Sequence, residues 1–265
     1  MSAPPSALAQ WDEIARRLQG ARPALFLDYD GTLTPIVARP ELATLPPETR
    51  STLERLAKRF PVAILSGRAR EDVAALVGLP DLVYAGSHGF DIAGPGLRHE
   101  VGGEELPKRM SEAAAELRRV LQGIPGILVE DKRFAVAVHY RLVAEADLPR
   151  IERAVDTALA ARPELRKAGG KKVFELRPSL DWDKGKALAW LLDRLAKDSK
   201  TPLLPVYIGD DVTDEDAFRA IGSNGITVLV ADEPRETAAG YSLRNPDEVR
   251  QLLERLAELP HTSPA

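Results

Sequence analysis

Short apolar runs alternate with amphipathic stretches over most of the chain. The runs at 24–27 (ALFL), 61–65 (PVAIL), 82–85 (LVYA), 205–208 (PVYI) and 226–230 (ITVLV) show no polar face, which predicts strands buried on both sides. Between them, Leu8, Trp11, Ile14, Ala15 and Leu18 recur at helical spacing within 6–19. Pro47 opens a helix with Leu53, Leu56, Ala57 and Phe60 on one face. Further helices are predicted over 70–77, 184–197, 214–221 and 246–259. The last has Asn245 as N-cap, Pro246 at N1 and Glu248 at N3, a capping-box variant. The Pro-containing stretch 35–47 has no clear period. Alternation of buried strands and helices specifies an α/β fold with a parallel sheet, whose sites form at the carboxyl ends of the strands.

Residues 104–177 follow a different pattern. Helix 106–122 precedes strands 126–131 and 134–140, and helix 147–162 precedes strands 164–168 and 172–177, so α-β-β occurs twice with strands close enough for antiparallel hairpins. Gly94, Gly96, Gly102 and Gly103 bound this segment on one side and Pro178 on the other. The expected organisation is a core from 1–103 and 178–265 with an inserted α+β lid at 104–177. Alternation sorts the lid strands. Phe134, Val136, Val138 and Tyr140 share one face. Ala135, Ala137, His139 and Arg141 share the other, Glu130 pairs with Lys132, and Lys171, Val173, Glu175 and Arg177 lie together. One face is expected to pack on the two lid helices. The other carries charges of both signs, as either an ordinary wet face or a reader of polar groups.

Composition narrows the function. Of 265 residues, 44% are hydrophobic and 29% charged, with net charge −4; this is an ordinary globular mix that argues against general nucleic-acid binding. No apolar run is long enough to span a membrane. The N-terminal stretch lacks a signal-peptide core, so a cytoplasmic location is expected. Cys is absent and His occurs four times, which excludes disulfides, thiolate nucleophiles and cysteine zinc sites. Catalysis would have to rest on carboxylates, hydroxyls and lysines.

Those residues stand at strand ends. Asp28-Tyr29-Asp30-Gly31-Thr32-Leu33 follows the first apolar run. A turn explains Asp30-Gly31 but not Asp28, and two acids so close call for a cation or a proton between them. Gly209-Asp210-Asp211-Val212-Thr213-Asp214-Glu215-Asp216 follows another strand. There, Thr213 can cap the next helix and the later acids suit its positive end, whereas Asp210 and Asp211 lie ahead of it. An all-oxygen cluster drawn from two strand ends suits Mg²⁺. Ser66-Gly67-Arg68 reads as an N-cap and turn or as a phosphate cradle. Lys184 opens a helix, where the macrodipole disfavours a cation unless an anion faces it; Lys186 is a rival on sequence alone.

Taken in order, LDYDGTL at 27–33, LSGR at 65–68, GSHG at 86–89, Glu130 and Lys132 followed by HYR at 139–141, and GDDVTDEDAF at 209–218 resemble the haloacid-dehalogenase-like phosphatases and, within them, the trehalose-6-phosphate phosphatases. The resemblance covers residues 24 to about 232. It implies a Rossmann-like core with a lid, and a Mg²⁺-dependent phosphatase acting through an aspartyl-phosphate. Asp28 would be the nucleophile and Asp30 the general acid/base. Ser66, Gly67, Arg68 and Lys184 would bind phosphate. Mg²⁺ would be held by Asp28, Asp30 through its backbone carbonyl, and Asp210, with Asp211 and Asp214 in support. Glu130, Lys132, Arg141 and Glu175 would read the sugar; His88 and His139 could be ligands or structural. The resemblance further implies a small-molecule sugar phosphate as substrate, no nucleic-acid or membrane partner, a monomer, and a functional link to a separate trehalose-6-phosphate synthase, since 265 residues leave no room for the synthase domain fused to some family members. Alternatives are the same chemistry on a sucrose or glycosyl-glycerate phosphate, a phosphomutase, or a non-catalytic sugar-phosphate-binding regulator.

Overall fold

A computed structural model of the protein describes residues 4–37, 39, 42–170, 172–197 and 199–260; Lys171 lies outside them. The chain divides into two compact units, 1–98 with 182–265, and 99–181.

The first unit is built on a parallel sheet. Its strands are β1 (Arg22–Leu27), β2 (Val62–Leu65), β3 (Val83–Gly86), β4 (Asp91–Gly94), β5 (Leu97–Glu100), β10 (Leu203–Gly209), β11 (Ile226–Val230) and β12 (Tyr241–Leu243), in the order β12-β11-β10-β1-β2-β3-β4-β5. All pairs from β12 to β3 are parallel and β3–β4 is antiparallel. Successive residues of each apolar run face opposite ways. Leu25, Leu27, Ile64, Val206 and Ile208 join one core with Leu53 and Leu56 of α2 (Pro47–Ala57) and Leu252 and Leu253 of α8 (Pro246–Ala257). Ala24, Phe26, Ala63, Leu65 and Tyr207 join the other with Leu188 and Leu191 of α6 (Lys184–Lys197) and Phe218 of α7 (Glu215–Ile221). Two cores back to back require strands with no polar face, which is the pattern seen in the sequence.

Helix α3 (Arg70–Val77) occupies the expected residues, whereas α1 is shorter than expected, Trp11–Arg17. Residues before it are held to the sheet edge, where the Ala7 N–H donates to the Ser242 carbonyl at 2.9 Å. Asn245 caps α8 by accepting from the Glu248 N–H at 3.0 Å. Glu248 reaches back to the Arg244 N–H at 2.8 Å, one residue beyond a standard capping box. The strands at the two ends of the order, β12 on one side and β4 with β5 on the other, are not legible in the sequence because they are short and carry no continuous apolar run.

The second unit contains α4 (Glu105–Val120), β6 (Leu128–Asp131), β7 (Val136–His139), α5 (Leu148–Ala160), β8 (Leu165–Gly170) and β9 (Val173–Pro178). Its sheet runs β6-β7-β9-β8, antiparallel throughout. Val136, Val138 and Leu176 are fully buried, as are Met110, Ala113, Ile151 and Val155 of the two helices. Among the described residues no helix is long and apolar enough to cross a membrane.

Candidate active site

Three of the predicted chemical segments start where neighbouring strands end. Asp28 follows β1, Ser66 follows β2 and Asp210 follows β10, and β1 lies between β2 and β10. The chain leaves β1 toward one side of the sheet and returns on the other. The crevice at this change of direction is where α/β sheets place their ligands.

Lys184, first residue of α6, enters from the side. Its ammonium donates to Asp28 Oδ1 and to Asp214 Oδ1, both at 2.7 Å, and the residue is 3% exposed. The structure thus selects Lys184; Lys186 instead donates its backbone N–H to Asp183 at the helix start. Ligand oxygens of Asp28, Asp210 and Asp214 lie within 4.8 Å of one another. Three carboxylates therefore share one ammonium. Burial, reinforced by Asp214 and Asp210 and opposed by Lys184, holds Asp28 well above the usual carboxylate range. Burial and Asp214 push Asp210 up to about 6. Burial alone would lower Lys184, but Asp28 and Asp214 outweigh it and hold it above its ordinary value. One ammonium leaves the three carboxylates short of positive charge, and an all-oxygen set in that state fits a hard divalent cation.

Not every acid is free to bind one. Both oxygens of Asp214 are engaged: Oδ1 also accepts from the Tyr207 hydroxyl at 2.6 Å and Oδ2 accepts from the Asp211 N–H at 2.9 Å. Asp214 thus holds Lys184 and the β10 end in place. Asp211 is exposed and caps the short helical turn 212–214, accepting from the Val212 N–H at 2.7 Å. The expectation that Thr213 caps the helix that follows is corrected: α7 begins at Glu215 with Asp214 before it and no side-chain cap. Asp211 and Asp214 form a reciprocal capping box around the turn 212–214, and the Thr213 hydroxyl donates to Asp211 at 3.4 Å. Asp210 is steadied by Thr32, which lies within the first motif, and by Arg235, which no motif signals. The Thr32 hydroxyl donates to its Oδ1 at 3.3 Å and Arg235 donates to its backbone carbonyl at 2.7 Å. In the sequence Tyr207 looks like one more apolar residue of a strand, and Arg235 sits in an aperiodic loop.

Gly31 makes this packing feasible. It has φ +83°, and a Cβ there would lie 2.1 Å from Asp210 Oδ2. Gly31→Ala is expected to displace the Asp210 carboxylate and to weaken divalent-cation binding at least ~10-fold, with the left-handed backbone alone costing about 1–2 kcal/mol. Calorimetric titration of the parent and the variant with Mg²⁺ checks this; equal affinities would place the cation elsewhere.

Asp30 and the loop after β2 form the second half of the site. Asp30 is held by a tight turn, in which the Gly31 N–H donates to the Thr34 carbonyl at 2.8 Å. Its carboxylate is forked by Arg68, with Nε to Oδ2 at 2.7 Å and a terminal nitrogen to Oδ1 at 2.6 Å. Ser66 is buried, and its Oγ accepts from the Arg68 N–H at 3.1 Å, which leaves the hydroxyl proton to be donated. His88 has φ +58°, an unusual conformation for a residue other than glycine. Its N–H donates to the Ser66 carbonyl at 2.9 Å. A Cβ on Gly67 would come within 3.0 Å of the His88 ring, so GSHG and SGR are packed against each other.

In the second unit, register puts Glu130 opposite Ala137 and Ala137 opposite Glu175. Lys132 lies 3.4 Å from Glu175 and 3.8 Å from Glu130, and His139 Nε2 lies 3.0 Å from Glu130. Arg177 Nε donates to Glu175 at 2.6 Å. Burial would raise the Glu175 carboxyl, but Arg177 and Lys132 overcome it and hold it below its ordinary value. Arg141 lies in the turn beyond β7 rather than on the strand.

A family profile described as Trehalose-phosphatase matches residues 26–261. The chain belongs to the trehalose-phosphatase family. It is 45% identical over 257 residues to a trehalose-phosphate phosphatase of Mycobacterium tuberculosis (strain ATCC 25618 / H37Rv), covering 95% of this chain and 65% of that relative. It is 42% identical over 277 residues to a probable trehalose-phosphate phosphatase 2 of Oryza sativa subsp. japonica, covering 96% and 72%. The chain therefore spans about two thirds of the length of the mycobacterial relative, just under that share. Among solved structures it is similar to a trehalose-6-phosphate phosphatase related protein, with TM-score 0.75 and 26% identity over 89% of this chain and 97% of that one. It is also similar to an Aspergillus fumigatus trehalose-6-phosphate phosphatase, with TM-score 0.67 and 28% identity over 97% and 99%.

Proposed function

We propose that this chain is a Mg²⁺-dependent phosphohydrolase that converts trehalose 6-phosphate to trehalose and phosphate through an aspartyl-phosphate. The observation that carries the reading is the buried Asp28, joined to Lys184 and gathered with Asp210 and Asp214 at the switch point of the sheet. Asp28, Asp210 and the Asp30 backbone carbonyl would hold Mg²⁺, which when bound neutralises phosphate charge and polarises the phosphorus. Lys184 offsets repulsion between nucleophile and phosphate, and the Ser66 hydroxyl and Gly67 N–H orient phosphate oxygens. Asp28 attacks phosphorus; an Asp28 O–P bond forms as the ester P–O bond breaks, and protonated Asp30 gives its proton to the departing sugar oxygen. Ionised Asp30 then takes a proton from water, whose oxygen attacks phosphorus and releases Asp28. On this reading the substrate comes from a separate synthase reaction, and the enzyme works as a cytoplasmic monomer. Phosphate release from a panel of sugar phosphates, with EDTA or Mg²⁺, tests it. Turnover selective for trehalose 6-phosphate and dependent on Mg²⁺ is expected. Preference for another ester would reassign the substrate, and full activity in EDTA would remove the metal.

We assign sugar recognition to the charged sheet face of the second unit, with Glu130 and Glu175 accepting from hydroxyls and Lys132, Arg141 and His139 donating. His88 would bind at the Ser66-Gly67 loop. Glu130→Ala and Glu175→Ala are expected to lower kcat/KM for trehalose 6-phosphate by ~10- to 100-fold, the scale of a lost charge-assisted hydrogen bond. p-Nitrophenyl phosphate should be hydrolysed at close to the parent's rate. An unchanged ratio of the two substrates would make this face ordinary solvated surface.

A further inference from the structure

We propose that Arg68 is a positioning residue that aims the Asp30 carboxyl, rather than a ligand of the phosphate. The inference rests on the reading of Asp30 as the acid that protonates the leaving oxygen. Its basis is the fork: the Arg68 side chain meets both oxygens of the ionised Asp30 carboxylate, at 2.7 and 2.6 Å, in the planar two-point geometry that an arginine supplies and a lysine does not. When Asp30 carries its proton, one oxygen keeps its Arg68 bond and so aims the O–H of the other at the leaving oxygen.

Asp30 needs such a holder. Its side chain is 39% exposed, against 7% for Asp28, and among the described contacts Arg68 is the one side chain bonded to its carboxylate. Arg68 itself is 15% exposed and fixed along its whole length. Its N–H donates to Ser66 Oγ at 3.1 Å, and its carbonyl accepts from the Ser87 N–H at 2.7 Å. Its guanidinium sits 5.5 Å from the centre of the Tyr29 ring. That ring is wholly buried, with its hydroxyl donating to the Ala43 carbonyl at 2.7 Å. The chain of contacts runs from the phosphate loop to the acid and needs no phosphate to complete it. A proton donor misplaced by about 1 Å can lose ~10²-fold in rate, so rigid placement of Asp30 bears on catalysis directly.

The consequence depends on the leaving group. An alkyl sugar oxygen must be protonated as it departs, whereas p-nitrophenolate departs without help. Specificity constants report steps up to phosphoryl transfer, so the later base role of Asp30 does not enter them. The experiment measures kcat/KM for trehalose 6-phosphate and p-nitrophenyl phosphate in the parent, Asp30→Asn, Arg68→Ala, Arg68→Lys and the Asp30→Asn/Arg68→Ala double variant, with thermal unfolding as a check on folding. Asp30→Asn should lose ~100-fold or more on the sugar phosphate and under ~5-fold on the aryl ester. Arg68→Ala should show the same split, Arg68→Lys a smaller one, and the double variant should fall no further than Asp30→Asn. Equal losses on both esters in folded Arg68 variants, multiplying with Asp30→Asn, would overturn the proposal and return Arg68 to the phosphate. Absence of the split in Asp30→Asn itself would overturn the reading of Asp30 and this proposal with it. A split in Asp30→Asn alone would overturn only the proposal. If Arg68→Ala fails to fold, Arg68→Lys decides by the same ratio.

Discussion

Asp28→Asn is expected to fold and to release no phosphate, with kcat down by roughly 10⁴-fold or more. Asp28 stands in a buried environment where a carboxylate is costly, at 5% exposure and with its carboxyl raised by burial and by two neighbouring acids. A purely structural residue there would be better neutral. An amide fills the same space, leaves Lys184 paired with Asp214, and removes one of three negative charges. The variant's unfolding temperature in EDTA is therefore expected to match or exceed the parent's. Stability kept or gained while turnover disappears is the signature of a carboxylate retained for its chemistry. Acid quenching of the parent during turnover should trap phosphate on the peptide that contains Asp28, and the variant should trap none. Turnover within about tenfold of the parent's would rule out attack by Asp28.

How much of this site is legible in the sequence follows from how each residue is held. Asp28, Ser66 and Asp210 are legible because each follows an apolar run, and parallel strands of one sheet must end on the same side. No distance has to be known. Helix α3 and strand β11 fall on their expected residues because clear periodicity or continuous apolarity bounds them. The partners of those residues are less visible. Arg68 lies 38 positions from Asp30 and Arg235 lies 25 from Asp210, and nothing local shows that either arginine is bound to a distant aspartate. Tyr207 combines an apolar body in a strand core with a hydroxyl aimed at Asp214; a hydropathy pattern registers the first and not the second. The cap at Asp211 is hidden for a related reason. Both Asp211 and Thr213 are good caps, and the choice between them is made by Asp214, whose buried carboxylate accepts the Asp211 N–H and so fixes where the turn begins. For the arginines and Tyr207 the missing information is a hydrogen bond to another segment; for the cap it is a choice between two local hydrogen bonds.

Lys184→Met is expected to destabilise the metal-free protein by about 3–5 kcal/mol near neutral pH, the usual cost of removing one partner from a buried ion pair. Methionine keeps the length and volume of the lysine, so the loss isolates charge from packing. Without the ammonium, Asp28, Asp210 and Asp214 face one another with hydrogen bonds from Tyr207, Thr32 and the Asp211 N–H among the described residues. The pH dependence has a definite sign. Asp210 is raised from 3.8 to about 6 in the folded parent, so the folded state binds a proton more tightly than the unfolded chain. The stability this contributes is fully present below about pH 4 and is lost as pH rises through about 6. Removing Lys184 pushes the cluster further in the same direction, so the deficit should be large at about pH 8 and smaller at about pH 5. A divalent cation should act oppositely, since it binds the ionised cluster. Mg²⁺ at ~100 times its dissociation constant would restore about 2.7 kcal/mol, and this rescue should fade as protons compete below about pH 6. Denaturant unfolding of the parent and the variant in EDTA and in Mg²⁺, at both pH values, measures all three effects. A variant as stable as the parent in EDTA at the higher pH would show that Lys184 does not compensate the three carboxylates. Rescue by Mg²⁺ that is no stronger at high pH than at low would show that the cation is bound by something other than their ionised forms.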